Sequence, residues 1–277
     1  SEGHTAFPAG TNGGVRWVQL NGEALTLPID GHQFAWDAGG MEPVDNADME
    51  GLRALASADF ALPPETEFAT QRILAKNKLL YIAYTTGGRS YDPPTDHTLG
   101  IYEYTADGDW VLLGLTPLGD DGMDEASPLG YGPDYLGEGS VTQVFIEPTN
   151  IWMLVSGGVG AHSGVVKLFQ FDGTQLQPIA NNFSGSPFAG WVEDLNDDGA
   201  QEFIRDLTDP YVFCYACGVR RVDFEVLRWN GTALEDVVLT PVEGDELNNR
   251  AVELAAADLW IDAAGMAYQL RDSENEM

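Results

Sequence analysis

The sequence predicts a mainly β fold, a β-propeller-like array of four-stranded antiparallel blades followed by a C-terminal helix, with a β-sandwich as the alternative. Three observations predict it. Alternating apolar segments recur in pairs around Asn-Gly or Asp-Gly turns. The pairs themselves come two at a time, giving units of four strands. From residue 244 onward the composition turns Ala- and Leu-rich with helix-like spacing. Residues 1–243 therefore read as the β domain of repeated hairpins and residues 244–277 as a helical segment.

The hairpins justify the first element of that reading. Val15–Leu20, Asn21-Gly22 and Ala24–Ile29 make the first copy, and Gly100–Thr105, Asp107-Gly108 and Trp110–Leu115 the second. Val165–Phe171, Asp172-Gly173 and Gln175–Ile179 make the third, and Asp223–Trp229, Asn230-Gly231 and Ala233–Leu239 the fourth. Asn-Gly and Asp-Gly supply the positive φ angles of a type I′ turn, the tight connection of a two-residue hairpin.

A second strand pair lies upstream of each of the last three hairpins. Thr70–Ala75 and Leu79–Thr85 flank Asn77-Lys78, Val141–Glu147 and Ile151–Ser156 flank Thr149-Asn150, and Ala189–Glu193 and Glu202–Asp206 flank an acidic loop. Each unit is then pair, longer loop, pair, and the last two repeat at roughly 60 residues, a period that suits stacked blades. The first hairpin is half a blade.

Two stretches interrupt the pattern. Residues 31–64 combine Gly, Pro and acidic residues with a short helical run near Met49–Ala58, and Gly119–Gly139 reads as a long solvated surface loop. In Glu246–Leu270, Leu247, Val252, Leu254, Ala255, Leu259 and Ala263 fall at helical spacing on a face too wide to be left in water.

Composition limits the partners. There are 44 acidic against 13 basic residues in 277, a formal net charge of −31. Phosphate backbones need a basic surface, so nucleic acid is excluded as a partner, and anionic membrane surfaces are disfavoured for the same reason. No apolar run of about 18 residues is present to insert into a bilayer. Such a surface attracts cations and suits a salty or calcium-rich medium. The chain opens at Ser1 without a basic, apolar leader, which fits a processed mature chain and equally a shortened one. Cys214 and Cys217 form a single C-x-x-C between β-type segments. A closed zinc site needs two more ligands, and redox chemistry needs a helix start, so the preferred reading is a local disulfide in an oxidising compartment, with a pair of buried free thiols as the alternative. The localisation expected is secreted, periplasmic or cell-surface.

The most specific motif is Asp194-Leu-Asn196-Asp-Asp198-Gly199-Ala200-Gln-Glu202. Calcium takes six to eight oxygen ligands. Asp194, Asn196 and Asp198 at alternate positions can converge on one ion, Gly199 permits the sharp turn, the Ala200 carbonyl can face the ion, and Glu202 can close the site. An EF-hand places its bidentate Glu at position 12, where this chain has Arg205, and it needs helices where this chain has strand-like flanks. The loop resembles the FG-GAP or integrin-α type of calcium-binding repeat, whose D-x-[DN]-x-D-G-x-x-[DE] segment joins two propeller strands. That resemblance implies a structural Ca2+ that stiffens a blade.

Catalytic signals are weak by comparison. His4, His32, His97 and His162 are scattered. His162-Ser163 lies in the Gly-rich stretch Gly157–Gly164, which has neither the spacing of a nucleophile elbow nor a helix after Gly158-Val-Gly160 to bind a dinucleotide. Strand alternation assigns most of the tryptophans to core packing. The expected function is a non-catalytic, calcium-stabilised extracellular binding or scaffolding module with a protein or carbohydrate ligand. The alternatives are a secreted polysaccharide hydrolase working from the acidic loops and a structural subunit of a surface assembly docked through its C-terminal helix.

Overall fold

The computed structural model describes residues 48–61, 66–75, 78–91, 94–119, 129–195, 199–211, 221–238, 244, 246–257, 259 and 261–266, and the backbone of 8–11, 14–17, 19–21, 24–29 and 32–37. In the N-terminal part β1 (Pro8–Thr11) pairs with β2 (Gly14–Trp17), and β3 (Gln19–Asn21), β4 (Ala24–Ile29) and β5 (His32–Asp37) form a three-stranded antiparallel sheet. The strand expected over Val15–Leu20 is thus divided: β2 pairs backward and β3 forward. β5 was hidden among the Gly and Pro of residues 31–64.

Helix α1 (Met49–Asp59) starts where Asp48 accepts a hydrogen bond from the Gly51 N–H at 2.9 Å. Its buried Leu52 and Ala56, one turn apart, face the first large sheet. Four strands build that sheet: β6 (Phe68–Ile73), β7 (Leu79–Thr85), β11 (Thr98–Tyr104) and β12 (Trp110–Pro117), each antiparallel to the next. Between β7 and β11 lie three two-residue strands, β8 (Gly87–Gly88), β9 (Ser90–Tyr91) and β10 (Pro94–Thr95). The second sheet is a meander of β14 (Val141–Val144), β15 (Ile151–Val159), β16 (Ser163–Phe171) and β17 (Leu176–Ser184). The far end of β15 also pairs with β13 (Tyr135–Leu136), which in turn pairs with β8, so this sheet reaches back to the first. The third is β18 (Gly190–Glu193), β19 (Glu202–Asp206), β20 (Phe224–Trp229) and β21 (Leu234–Asp236). The fold is mainly β, with antiparallel sheets and a few short helices, and the three units of four strands expected from the sequence are all present.

Strand periodicity of two explains how they stack. In β7, Leu80, Ile82 and Tyr84 face the second sheet while Leu79, Tyr81 and Ala83 face α1. In β15, Met153 and Val155 meet the first sheet, whereas Trp152 and Leu154 meet Phe203 and Leu227 of the third. The second sheet is therefore buried on both faces. That is why Ile151–Val155 and Val165–Phe169 read as nearly continuous apolar runs instead of clean alternation.

Side-chain amides tie neighbouring sheets together. Gln143 of β14 accepts from the Leu74 N–H at 2.7 Å and donates to the Leu74 carbonyl at 2.9 Å. One unit later, Gln201 accepts from the Phe145 N–H at 2.7 Å, and its own N–H donates to the Phe145 carbonyl at 3.1 Å. Leu74 and Phe145 each follow the first strand of their unit. Asn182 adds a third tie, donating to the carbonyls of Ala189 and Asp206.

Three expectations are corrected. The Asp107-Gly108, Asp172-Gly173 and Asn230-Gly231 turns are not type I′, because only the glycines, at φ +88°, +97° and +101°, enter the left-handed region. Asp172 Oδ1 accepts from the Thr174 N–H, the Thr174 hydroxyl and the Gln175 N–H, and Asn230 Oδ1 does the same with Thr232 and Ala233. That side-chain cap organises a four-residue loop in place of the two-residue turn. Second, residues 129–139 are not simply solvated: Leu136 joins the core and Leu129 packs against it. Third, the C-terminal helix is not continuous. α2 (Glu246–Ala256) is followed by a turn and a separate helical stretch at 261–266, leaving Leu259 and Ile261 exposed and Ala255 and Ala263 buried.

Candidate functional site

The acidic loop connects β18 to β19, directly beyond the last cross-strand pair, Glu193 opposite Glu202. It starts and ends on rigid ladder positions, so its first and last carboxylates stand on the two arms of one hairpin. Asp194 Oδ2 accepts from the Gly199 N–H at 3.0 Å, drawing the first position onto the sixth. Gly199 has φ +93°, a conformation that a side chain would strain. Gln201, through its clasp on Phe145, fixes the returning arm against the second sheet.

Glu202 is almost fully buried, at 1% exposure. Its Oε2 accepts from the Leu195 N–H at 3.0 Å, inside the loop, and its Oε1 accepts from Arg228 Nε at 2.7 Å and from Arg228 Nη2. A buried carboxylate needs this compensation. The geometry fits a cation-binding loop in two respects, the closure of Asp194 onto Gly199 and the seating of Glu202 against the loop backbone. The Arg228 guanidinium is a competing positive charge on the same carboxylate. Asn196 and Asp198 lie outside the described residues, as do Cys214 and Cys217. Among the described residues, no three His, Cys, Asp or Glu side chains converge as a metal cluster.

A second polar cluster was not singled out in the sequence. His97, 4% exposed, shares a 2.8 Å hydrogen bond between its Nδ1 and Thr85 Oγ1, and Thr85 Oγ1 also accepts from the Thr98 N–H. Nearby, Arg89 pairs with Asp96 at 3.0 Å, and its N–H donates to the Asp134 carbonyl. Asp134 Oδ2 accepts from the Gly160 N–H. Burial pushes the His97 ring below its ordinary pKa, and the Arg89 charge acts in the same direction against the hydrogen bonds and Asp96 that oppose it. This cluster pins residues 129–139 to the hairpin end of β15. Lys167, buried in β16, donates to the Leu129 carbonyl and anchors the same stretch. A lysine inside an apolar strand run was the one signal that could have shown that residues 129–139 fold back onto the core. His162 lies exposed at the β15–β16 hairpin tip.

Trp152 is fully buried, as strand alternation required, while Trp191 is 37% exposed and donates through Nε1 to Glu193. No described helix is long and apolar enough to cross a membrane. Comparison with protein-family models, with curated proteins and with solved structures gives no match.

Proposed function

We propose that the protein is a non-catalytic, calcium-stabilised binding or scaffolding module of propeller-like build that works outside the cell. The observation that carries this reading is the closure of the acidic loop, with Asp194 hydrogen-bonded to Gly199 and Glu202 seated on the Leu195 N–H. The side chains of Asp194, Asn196, Asp198 and Glu202 and the Ala200 carbonyl would hold the ion, which supplies a crosslink between the two arms of the β18–β19 hairpin. Face-to-face packing of three meanders, with glutamine clasps between successive units, supports the propeller-like build. The net charge of −31 and the closely spaced Cys214 and Cys217 support an extracellular setting.

Titration calorimetry with calcium chloride tests the site. The expected result is saturable binding at one site per chain, abolished in Asp198→Ala. Absence of binding heat in the wild-type protein, or unchanged binding in Asp198→Ala, overturns the reading.

A further inference from the structure

Among the described residues, the first strand of the first sheet has an open edge. β6 is the terminal strand of its sheet, bonded on one side to β7. Antiparallel ladders alternate between residues that bond to the partner strand and residues whose N–H and C=O point away. The Thr86 N–H donates to the Glu67 carbonyl, so Glu67 opposite Thr86 is a bonded pair. By the register, Ala69, Gln71 and Ile73 bond inward, and the backbone groups of Phe68, Thr70, Arg72 and Leu74 point outward.

One of these outward positions is already filled. The Gln143 side-chain amide accepts from the Leu74 N–H and donates to the Leu74 carbonyl, as a neighbouring strand does. Beyond it, a cleft of about 250 Å³ runs beside Phe68–Gln71, bounded by Arg53 of α1 and by Glu138 and Gly139. Four consecutive strand residues line it. Side chains alternate across a strand, so a cleft that meets four in a row follows the backbone edge and not one face. The opposite wall is held in place: Tyr84 Oη donates to the Gly137 carbonyl at 3.3 Å and accepts from the Gly139 N–H at 2.9 Å.

We propose that this edge binds an extended, basic peptide segment, which adds a strand to the first sheet beside β6. Main-chain hydrogen bonds to Phe68 and Thr70 supply the register, continuing the pattern that Gln143 begins at Leu74. Exposed Arg53 and Glu138 face the cleft with opposite charges, so Glu138 offers one anionic anchor and the net charge of −31 on the whole chain favours a cationic segment. The same charge opposes pairing of two copies of this chain edge to edge, the usual fate of an uncovered strand. This assigns a ligand class to the binding module proposed above and rests on that reading. It does not depend on the calcium loop, which lies on the third sheet, so titrations in calcium and in chelator separate failure of one from failure of the other.

The test uses the full chain and the blocked peptide Ac-Thr-Lys-Val-Lys-Thr-NH2, with a version N-methylated at alternate amides and an acidic Glu-for-Lys version as controls. The expected result is saturable binding of the basic peptide that weakens with salt, with both controls at least about tenfold weaker. Thr70→Pro removes an outward donor without touching the ladder and should weaken binding about tenfold. Glu138→Lys provides the same readout without altering the strand. Hydrogen exchange should find the Phe68, Thr70 and Arg72 amides fast in the free protein and slowed by peptide. Equal binding of the N-methylated peptide, no saturable binding, or amides already protected in the free chain would overturn the proposal, the last because the edge would then be occupied.

Discussion

Two loops occupy the same position in successive units and solve the same problem differently. The β14–β15 connection, Phe145–Asn150, and the β18–β19 connection, Asp194–Gln201, both carry carboxylates between paired strands. In the first, Glu147 is satisfied by the chain itself: Oε2 accepts from the Thr149 N–H and hydroxyl, and Oε1 accepts from Asn150 Nδ2 and Trp152 Nε1. In the second, Asp194, Asp197 and Asp198 crowd a segment containing no Thr, Ser or Trp donor. Backbone N–H groups serve Asp194 and Glu202, and a guanidinium from β20 serves Glu202. A loop with enough donors stands alone, and the surplus carboxylates of the other are what motivate the proposed cation.

Removing the cation should separate them most. A ligand at 100 times its Kd stabilises the state it binds by about 2.7 kcal/mol. Excess chelator should thus lower the Tm of the calcium-loaded protein by roughly 5–10 °C for a chain of this size. Circular dichroism melts of Asp198→Ala should show no chelator response, while Glu147→Ala should keep all of it. A wild-type melt indifferent to chelator would erase the distinction between the loops.

The self-satisfied loop has the next largest effect. Glu147→Ala strands the Asn150 and Trp152 donors and should cost about 2 kcal/mol in denaturant unfolding. The loss should be equal with and without calcium. A calcium-dependent loss would mean that the two loops share a site.

Both loops were visible in the sequence to different degrees. The three units were legible because Asp-Gly and Asn-Gly punctuate them and their strands alternate. Turn geometry was not, since Asp172 and Asn230 act through side-chain oxygens that capture Thr174 and Thr232. The spacing of Asp194, Asn196 and Asp198 stands out in one dimension. Glu147 does not, because its partners Thr149, Asn150 and Trp152 are ordinary residues until a turn gathers them. Arg228 was equally invisible as the partner of Glu202, lying 26 positions away and meeting it only through the β19–β20 register. Long-range ties such as Gln143 to Leu74 leave no local signature at all.

Arg228 offers a finer cut. It is 42% exposed while its partner Glu202 is buried. Arg228→Gln should destabilise the calcium-free protein by about 1 kcal/mol, because Glu202 loses its counter-charge and keeps only neutral donors. With the competing cation gone, calcium should bind several-fold more tightly in calorimetry. Weaker calcium binding would show that Arg228 positions Glu202 for the ion instead of competing with it.

The smallest effect is in pH, and it distinguishes the self-satisfied loop from the buried histidine beside β7. Partial burial tends to raise the Glu147 carboxyl, but its hydrogen bonds from Thr149, Trp152 and Asn150 outweigh that and hold it below the ordinary value of 4.5. A depressed acid stabilises the fold above its unfolded pKa, and that contribution disappears as pH falls through the folded one. His97 is also depressed, chiefly by burial, but from 6.5. For a base the unfolded chain then takes up the proton first, so stability declines as pH drops below about 6.5 and levels off under the folded pKa. Acid unfolding in chelator should therefore show two windows. His97→Gln should remove the upper one and leave the lower. Glu147→Gln, which exchanges the carboxylate for an uncharged amide, should reduce the decline below pH 4.5 and leave the upper window intact. The remainder of that decline includes Asp172, which hydrogen bonds from Thr174 and Gln175 also hold below its ordinary value. If Glu147→Gln instead changed the slope near pH 6, the carboxylate would be coupled to the histidine across the second sheet, and the β14–β15 loop would no longer count as self-contained.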